Sequence, residues 1–133
     1  MVANNTRRAV LLFVAGLALL QAAWIFALPP FRGIDEFDHV YRADAVAHGQ
    51  WVAPHDQATN GRGALVNVRP SIVESASAMC DSYKYTGRDN CFAVDHGPDG
   101  LVRVASAASG NHPAFYWVVG TVGRLARARP HSP

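Results

Sequence analysis

The sequence predicts a membrane protein, mainly α-helical. A single N-terminal transmembrane helix precedes an extracytoplasmic loop region with short helices and a small β-hairpin, and an amphipathic C-terminal helix follows. Three observations carry this prediction. One uncharged apolar block near the N-terminus holds most of the hydrophobic excess, two cysteines bracket a turn-rich stretch, and apolar residues recur with helical period after Pro113.

The apolar block runs from Ala9 to Leu28, AVLLFVAGLALLQAAWIFAL, without a charge and with Gln21 as its one polar side chain. At ~1.5 Å per helical residue it covers about 30 Å, the thickness of a bilayer core. Trp24 and Phe26 lie near its outer end, where aromatic side chains favour the interface, and Pro29 and Pro30 oppose continuation of the helix. A cleaved leader would need a small-x-small cleavage site, whereas Trp-Ile-Phe-Ala-Leu before Pro29 is bulky. A buried core helix would need more apolar surroundings than this chain supplies. Arg7 and Arg8 precede the span with no acid before it, which predicts a cytoplasmic N-terminus at the plasma membrane and an outer bulk. The expected layout is residues 1–8 inside, 9–28 crossing, 29–112 outside, 113–127 as a helix at the membrane surface and 128–133 as a tail.

In the outer region a helix is expected over Asp35–His48, closed by Gly49. Trp51–Ala64 reads as a loop, Leu65–Val68 as a strand ended by Pro70, Ser71–Met79 as a short helix, and Leu101–Ala105 as a second strand. Few large apolar residues fall between Ala53 and Gly110, so loose packing is expected. Cys80 and Cys91 bracket DSYKYTGRDN; in an oxidising compartment this spacing suits a disulfide. Ser82–Tyr85 has strand character and Thr86–Asn90 looks like a turn, which predicts a stapled hairpin. The competing reading is two unrelated thiols.

Pro113 suits the first position of a helix. Phe115, Val118, Val119, Val122 and Leu125 then share one face. The apolar stretch Ala114–Gly123 is too short to span, and Arg124, Arg127 and Arg129 oppose insertion, so the helix is expected to lie on the membrane. The bilayer is thus the expected partner. Nucleic acid is not, because the formal net charge is only +2 and no basic stripe is present.

The densest chemistry is Asp35-Glu36-Phe37-Asp38-His39. On a helix Asp35, His39 and Arg42 follow at i, i+4 and i+7. Glu36 lies toward Val40, Ala43 and Ala47, where apolar neighbours can raise a carboxyl pKa and suit it to act as a base. Asp35, Glu36 and His39 could also hold a divalent cation. The bland role competes: Asp35 with Asp38 resembles an N-cap and a capping-box variant. His112 reads as a helix-start residue.

PPFRGIDEFDHVYRADAVAHGQWV resembles the P-x-x-x-x-DE-x-x-H-x-x-RA-x-x-x-x-x-G pattern that follows the first span in an uncharacterised family of actinobacterial multi-pass membrane proteins, known only as a domain of unknown function. SYKYTGRDNC and NHPAFYWVVG also resemble that family's first outer loop. The family is similar to GT-C integral-membrane glycosyltransferases, which use polyprenyl-phosphate-linked sugars in cell-envelope glycan assembly. The resemblance implies a catalytic base or metal contact at Asp35 or Glu36, with His39 and Arg42 supporting. The family has many spans and this sequence ends before the second, so the resemblance implies an N-terminal part that is not catalytic alone. The alternatives are a non-enzymatic anchored interaction module and a cleaved secreted protein.

Overall fold

A computed structural model describes residues 2–27, 31, 33, 35–80 and 87–127. The chain forms two compact units, Met1–Arg32 and Gly33–Pro133.

The first unit is helix α1, Val2–Ala27. It begins earlier than the apolar block, because nothing in Asn4–Arg8 breaks a helix: Pro and Gly are absent there. Its Asn5–Ala27 stretch, 23 residues with a mean hydropathy of 2.3, is long and apolar enough to cross a membrane. Leu28, the expected end of the span, lies outside the described residues.

The second unit contains α2 (Glu36–Ala47), β1 (Ala64–Val68), α3 (Pro70–Ser77), α4 (Arg88–Cys91), β2 (Asp95–His96), β3 (Val102–Ser106) and α5 (Pro113–Arg127). The strands form an antiparallel sheet in the order β1-β3-β2, with Val66 opposite Val104 and His96 opposite Val102. Helix α2 packs against β1 and β3 and also against α5. Its inward residues include Phe37, Tyr41 and Val46, which meet a core to which the sheet contributes Val66, Val68 and Val104. Pro70 both ends β1 and opens α3, as a residue with a fixed φ and no N–H suits a helix's first turn. Helix α2 stops at a left-handed glycine, Gly49 at φ 91°.

The packing is close, contrary to the loose outer segment expected from composition. Small residues let backbones approach. A Cβ on Gly120 would lie 2.1 Å from the Ala43 carbonyl oxygen, so α5 crosses α2 through a glycine. Tyr116, on the same stripe as Gly120, joins Ala43 and Val46 in a small cluster. Buried hydrogen bonds supply what large apolar residues do not. Asn90 donates to the carbonyls of Arg62 (3.0 Å) and Ala105 (3.1 Å), accepts from the Arg62 N–H (2.7 Å), and its own carbonyl accepts from the Tyr41 hydroxyl (3.1 Å). Burial pushes the Tyr41 phenol above its ordinary range.

Cys80 and Cys91 form a disulfide, with Cα atoms 5.8 Å apart. The hairpin expected between them needs correction. Arg88–Cys91 is a helical turn, because Asn90 must face inward to reach the Arg62 and Ala105 backbone. The strand expected at 82–85 lies outside the described residues, as does the tail 128–133. Among the described residues β2 and β3 form a hairpin, closed by the Gly97 N–H donating to the Leu101 carbonyl at 2.9 Å. Arg103 pins it by pairing with Asp95, and this hydrogen bond holds the Asp95 carboxyl below its usual range.

Candidate functional site

The N-terminal half of α2 presents the acidic block. Asp35 stands at the N-cap position, but its side chain makes no capping hydrogen bond. The expected capping box is therefore absent. Glu36 reaches back instead, and its Oε2 accepts from the Gly33 N–H at 3.1 Å. Asp38 points inward and is buried. Its Oδ1 accepts from the Ala107 N–H at 2.7 Å, and its backbone carbonyl accepts from the Ser106 hydroxyl at 2.8 Å. Both bonds fix the turn between β3 and α5 onto α2. Desolvation pushes the Asp38 carboxyl up, against the lowering effect of the Ala107 hydrogen bond and of Arg62.

His39 is exposed, yet its ring is held in place. It stacks on Tyr116 with centroids 5.8 Å apart and planes 11° from parallel. Asn111 donates to the Tyr116 oxygen at 2.8 Å, and that oxygen lies 2.7 Å from His39 Nδ1. The Tyr116 hydroxyl thus bridges the Asn111 amide and the His39 ring, and this holds His39 Nδ1 against the phenol with Nε2 on the other side of the ring.

Two concavities meet at His39. One is polar, has a volume of 170 Å³, and is lined by Asp35, Asp38, His39, Arg62 and Asn111 with two alanines. The other is an apolar groove of 250 Å³ between α2, α3 and α5; Val40, Ile72, Phe115 and Val119 form much of its wall, with Glu36 and His39 at the acidic end. Arg69 and Asp44 lie along this groove, and Arg69 Nη2 pairs with Asp44 Oδ1 at 2.6 Å. The imidazole is thus a wall shared by a charged pocket and a greasy slot.

Arg42 takes a different place from Asp35 and His39, despite the helical spacing that suggested one face. It is 1% exposed, while Asp35 and His39 are exposed. Its guanidinium donates to the carbonyls of Gln50 (3.0 Å), Trp51 (3.1 Å) and Asn111 (3.2 Å). Among the described residues no carboxylate pairs with it, and burial lowers its pKa. Arg42 therefore reaches the pocket only indirectly: it holds the backbone of Asn111, whose side chain orders Tyr116 and through it His39.

Arg62 is the pocket residue that sequence reasoning passed over. It lies in the loop before β1, far from the acidic block in sequence, and Asn90 clamps its backbone through both N–H and carbonyl. No spacing signal links residues 62 and 90 to residue 35. Among the described residues no group of three His, Cys, Asp or Glu side chains is arranged to hold a metal ion. Asp35 and His39 share the polar pocket, whereas Glu36 lines the groove.

The arrangement offers acidic groups, an imidazole held in a fixed orientation and the Arg62 cation around a small polar space. That set can take up a proton from a hydroxyl while placing positive charge against an anion. Comparison of the chain with protein-family models, curated proteins and solved structures finds no match.

Proposed function

We propose that the chain is the N-terminal part of a GT-C-like membrane protein, anchored in the plasma membrane by α1 with its N-terminus cytoplasmic, and that its outer unit receives the phosphate end of a polyprenyl-phosphate-linked sugar. The observation that carries the reading is the shared His39 wall: a polar pocket and an apolar groove adjoin, which suits a ligand with a compact charged head and an apolar tail. Arg62 supplies the cation for the phosphate, and the His39 ring lies beside it in the same pocket. Asp35 or Glu36 is the base. In the transfer, an acceptor hydroxyl oxygen bonds to the anomeric carbon, the carbon–oxygen bond to phosphate breaks with its electron pair going to the phosphate oxygen, and the hydroxyl proton passes to the carboxylate.

The chain is not catalytic alone in this reading. The groove's 250 Å³ falls below the roughly 300–1,000 Å³ of ordinary ligand cavities, so a polyprenyl chain needs further apolar walls. The test is binding to the full chain in nanodiscs, with polyprenyl monophosphate and the phosphate-free polyprenol as probes. The phosphate form should bind at least tenfold tighter, about 1.4 kcal/mol and within reach of one charge-assisted hydrogen bond. Arg62→Ala should erase most of that preference. Equal binding of the two lipids overturns the reading. In an assembly competent for transfer, Asp35→Asn or Glu36→Gln should abolish output; full output from both variants removes the carboxylate's role as base.

A further inference from the structure

Helix α5 is held to its unit by a narrow stripe in which Tyr116 and Gly120 are buried against α2, with Arg124 donating to the Ala47 carbonyl beyond them. The rest of its apolar surface is bare. Val118, Val122 and Leu125, outside the groove that Phe115 and Val119 help to line, are 55% to 65% exposed. The patch continues onto another segment, because the Trp51 ring lies 6.2 Å from that of Trp117, and Val52 beside it is 79% exposed. Arg42 builds this continuation by holding the Trp51 carbonyl. Isolated apolar side chains on a surface need no explanation, but a contiguous face with paired tryptophans marks a contact.

Charge identifies the partner. From Pro113 to Pro133 the sequence has no Asp or Glu, while Arg124, Arg127 and Arg129 follow one another within six residues. Arg124 is exposed and anchored through a 3.0 Å hydrogen bond to the Ala47 carbonyl. A second copy of this segment offers these arginines no acidic partner, because it holds none. An anionic bilayer surface accepts both the apolar side chains and the arginines, and tryptophan is favoured at the depth of the headgroups. The ten-residue, mostly apolar stretch Ala114–Gly123 covers about 15 Å, half of a bilayer core, which fits a helix lying in the surface.

We infer that α5, together with Trp51 and Val52, is a platform that docks flat on an anionic phospholipid bilayer. The inference rests on the membrane reading of α1 and is independent of any transfer chemistry. The structure adds to the helical periodicity a second segment, the loop carrying Trp51 and Val52, and separates the stripe used against α2 from the face left for lipid.

The test uses the full chain in nanodiscs whose lipids carry bromine on the acyl chains, in three single-tryptophan forms. Trp24→Phe with Trp51→Phe leaves Trp117; the other two pairs of substitutions leave Trp51 or Trp24. Trp24 reports the anchor. Trp117 and Trp51 should lose at least half their emission in bilayers rich in phosphatidylglycerol and be shielded from aqueous iodide. Val118→Asn with Val122→Asn, at exposed positions that leave the core intact, should restore Trp117 emission while Trp24 stays quenched. Quenched Trp24 with Trp117 bright and open to iodide overturns the docking and leaves the anchor standing. Trp117 shielded from iodide but unquenched, with two chains per disc, assigns the face to a second copy and overturns it as well. Equal quenching in purely zwitterionic lipid overturns the anionic requirement. Polyprenyl-phosphate binding is unaffected by these readouts, so the two proposals fail separately.

Discussion

Two glycines three residues apart on α5 should respond to the same substitution with opposite signs. An added Cβ on Gly120 falls 2.1 Å from the Ala43 carbonyl oxygen and 3.0 Å from the Ala47 Cβ, whereas one on Gly123 meets nothing within 4 Å. Alanine in place of glycine favours a helix interior by about 1 kcal/mol. At Gly123 that gain stands alone. At Gly120 the clash is with backbone, which no rotamer change relieves, so α5 must lift from α2 by about an ångström at an overpacking cost near the upper end of ~1–3 kcal/mol. The net expectation for Gly120→Ala is a loss of about 2 kcal/mol. At ~4–8 °C per kcal/mol for a domain of this size, its Tm should fall by about 8–16 °C, and that of Gly123→Ala should rise by up to about 4–8 °C. The assay is thermal unfolding of the full chain in detergent, followed by near-ultraviolet circular dichroism, which reads aromatic packing and is insensitive to the helicity of α1. Tm changes of the same sign in both variants would refute the close crossing of α2 and α5.

Two further outcomes follow from the buried polar groups. The folded state raises the Asp38 pKa, so the stability this carboxyl contributes is fully present below its unfolded pKa of about 3.9 and is lost as pH rises through the higher folded value. Asp38→Asn keeps an acceptor for the Ala107 N–H and removes that loss; denaturant melts at pH 4 and pH 7 should show the wild type losing ground to the variant at pH 7, and the reverse trend would sink the desolvation argument. Asn90→Ala removes three side-chain hydrogen bonds to the Arg62 and Ala105 backbone. At about 1 kcal/mol each it should cost about 3 kcal/mol, read as a lower denaturant midpoint with an unchanged m-value, and a change under 0.5 kcal/mol, the ordinary size of a surface substitution, would contradict the clamp.

Local elements were legible where the chain's own chemistry sets them. Helix α5 begins at Pro113, and Gly49 follows α2, because a fixed φ and a left-handed turn are properties of those residues alone. The strands around Leu65 and Val102 were legible too, the first as a short run before Pro70 and the second by its alternation. The capping box did not follow, since Asp35 and Asp38 have the right spacing but Asp38 is recruited by the Ala107 N–H, from the far end of the chain.

By itself the sequence determined an apolar N-terminal helix of membrane-spanning length, a cysteine pair suited to a disulfide, and an apolar α5 face with a basic end. These depend on composition and on spacings of a dozen residues or fewer. Only the tertiary structure decided that β1 pairs with β3, that Arg42 is buried among carbonyls while His39 stays at the surface, and that Arg62 joins the acidic block. Each of those outcomes depends on groups far apart in the chain, Arg42 through the Asn111 carbonyl 69 residues on. Helical geometry fixes which residues of α2 share an angle, but it cannot say which angle faces a core. That choice was made by Gly120, Asn111 and Ala107, whose contacts with α2 are absent until the chain has folded back on itself.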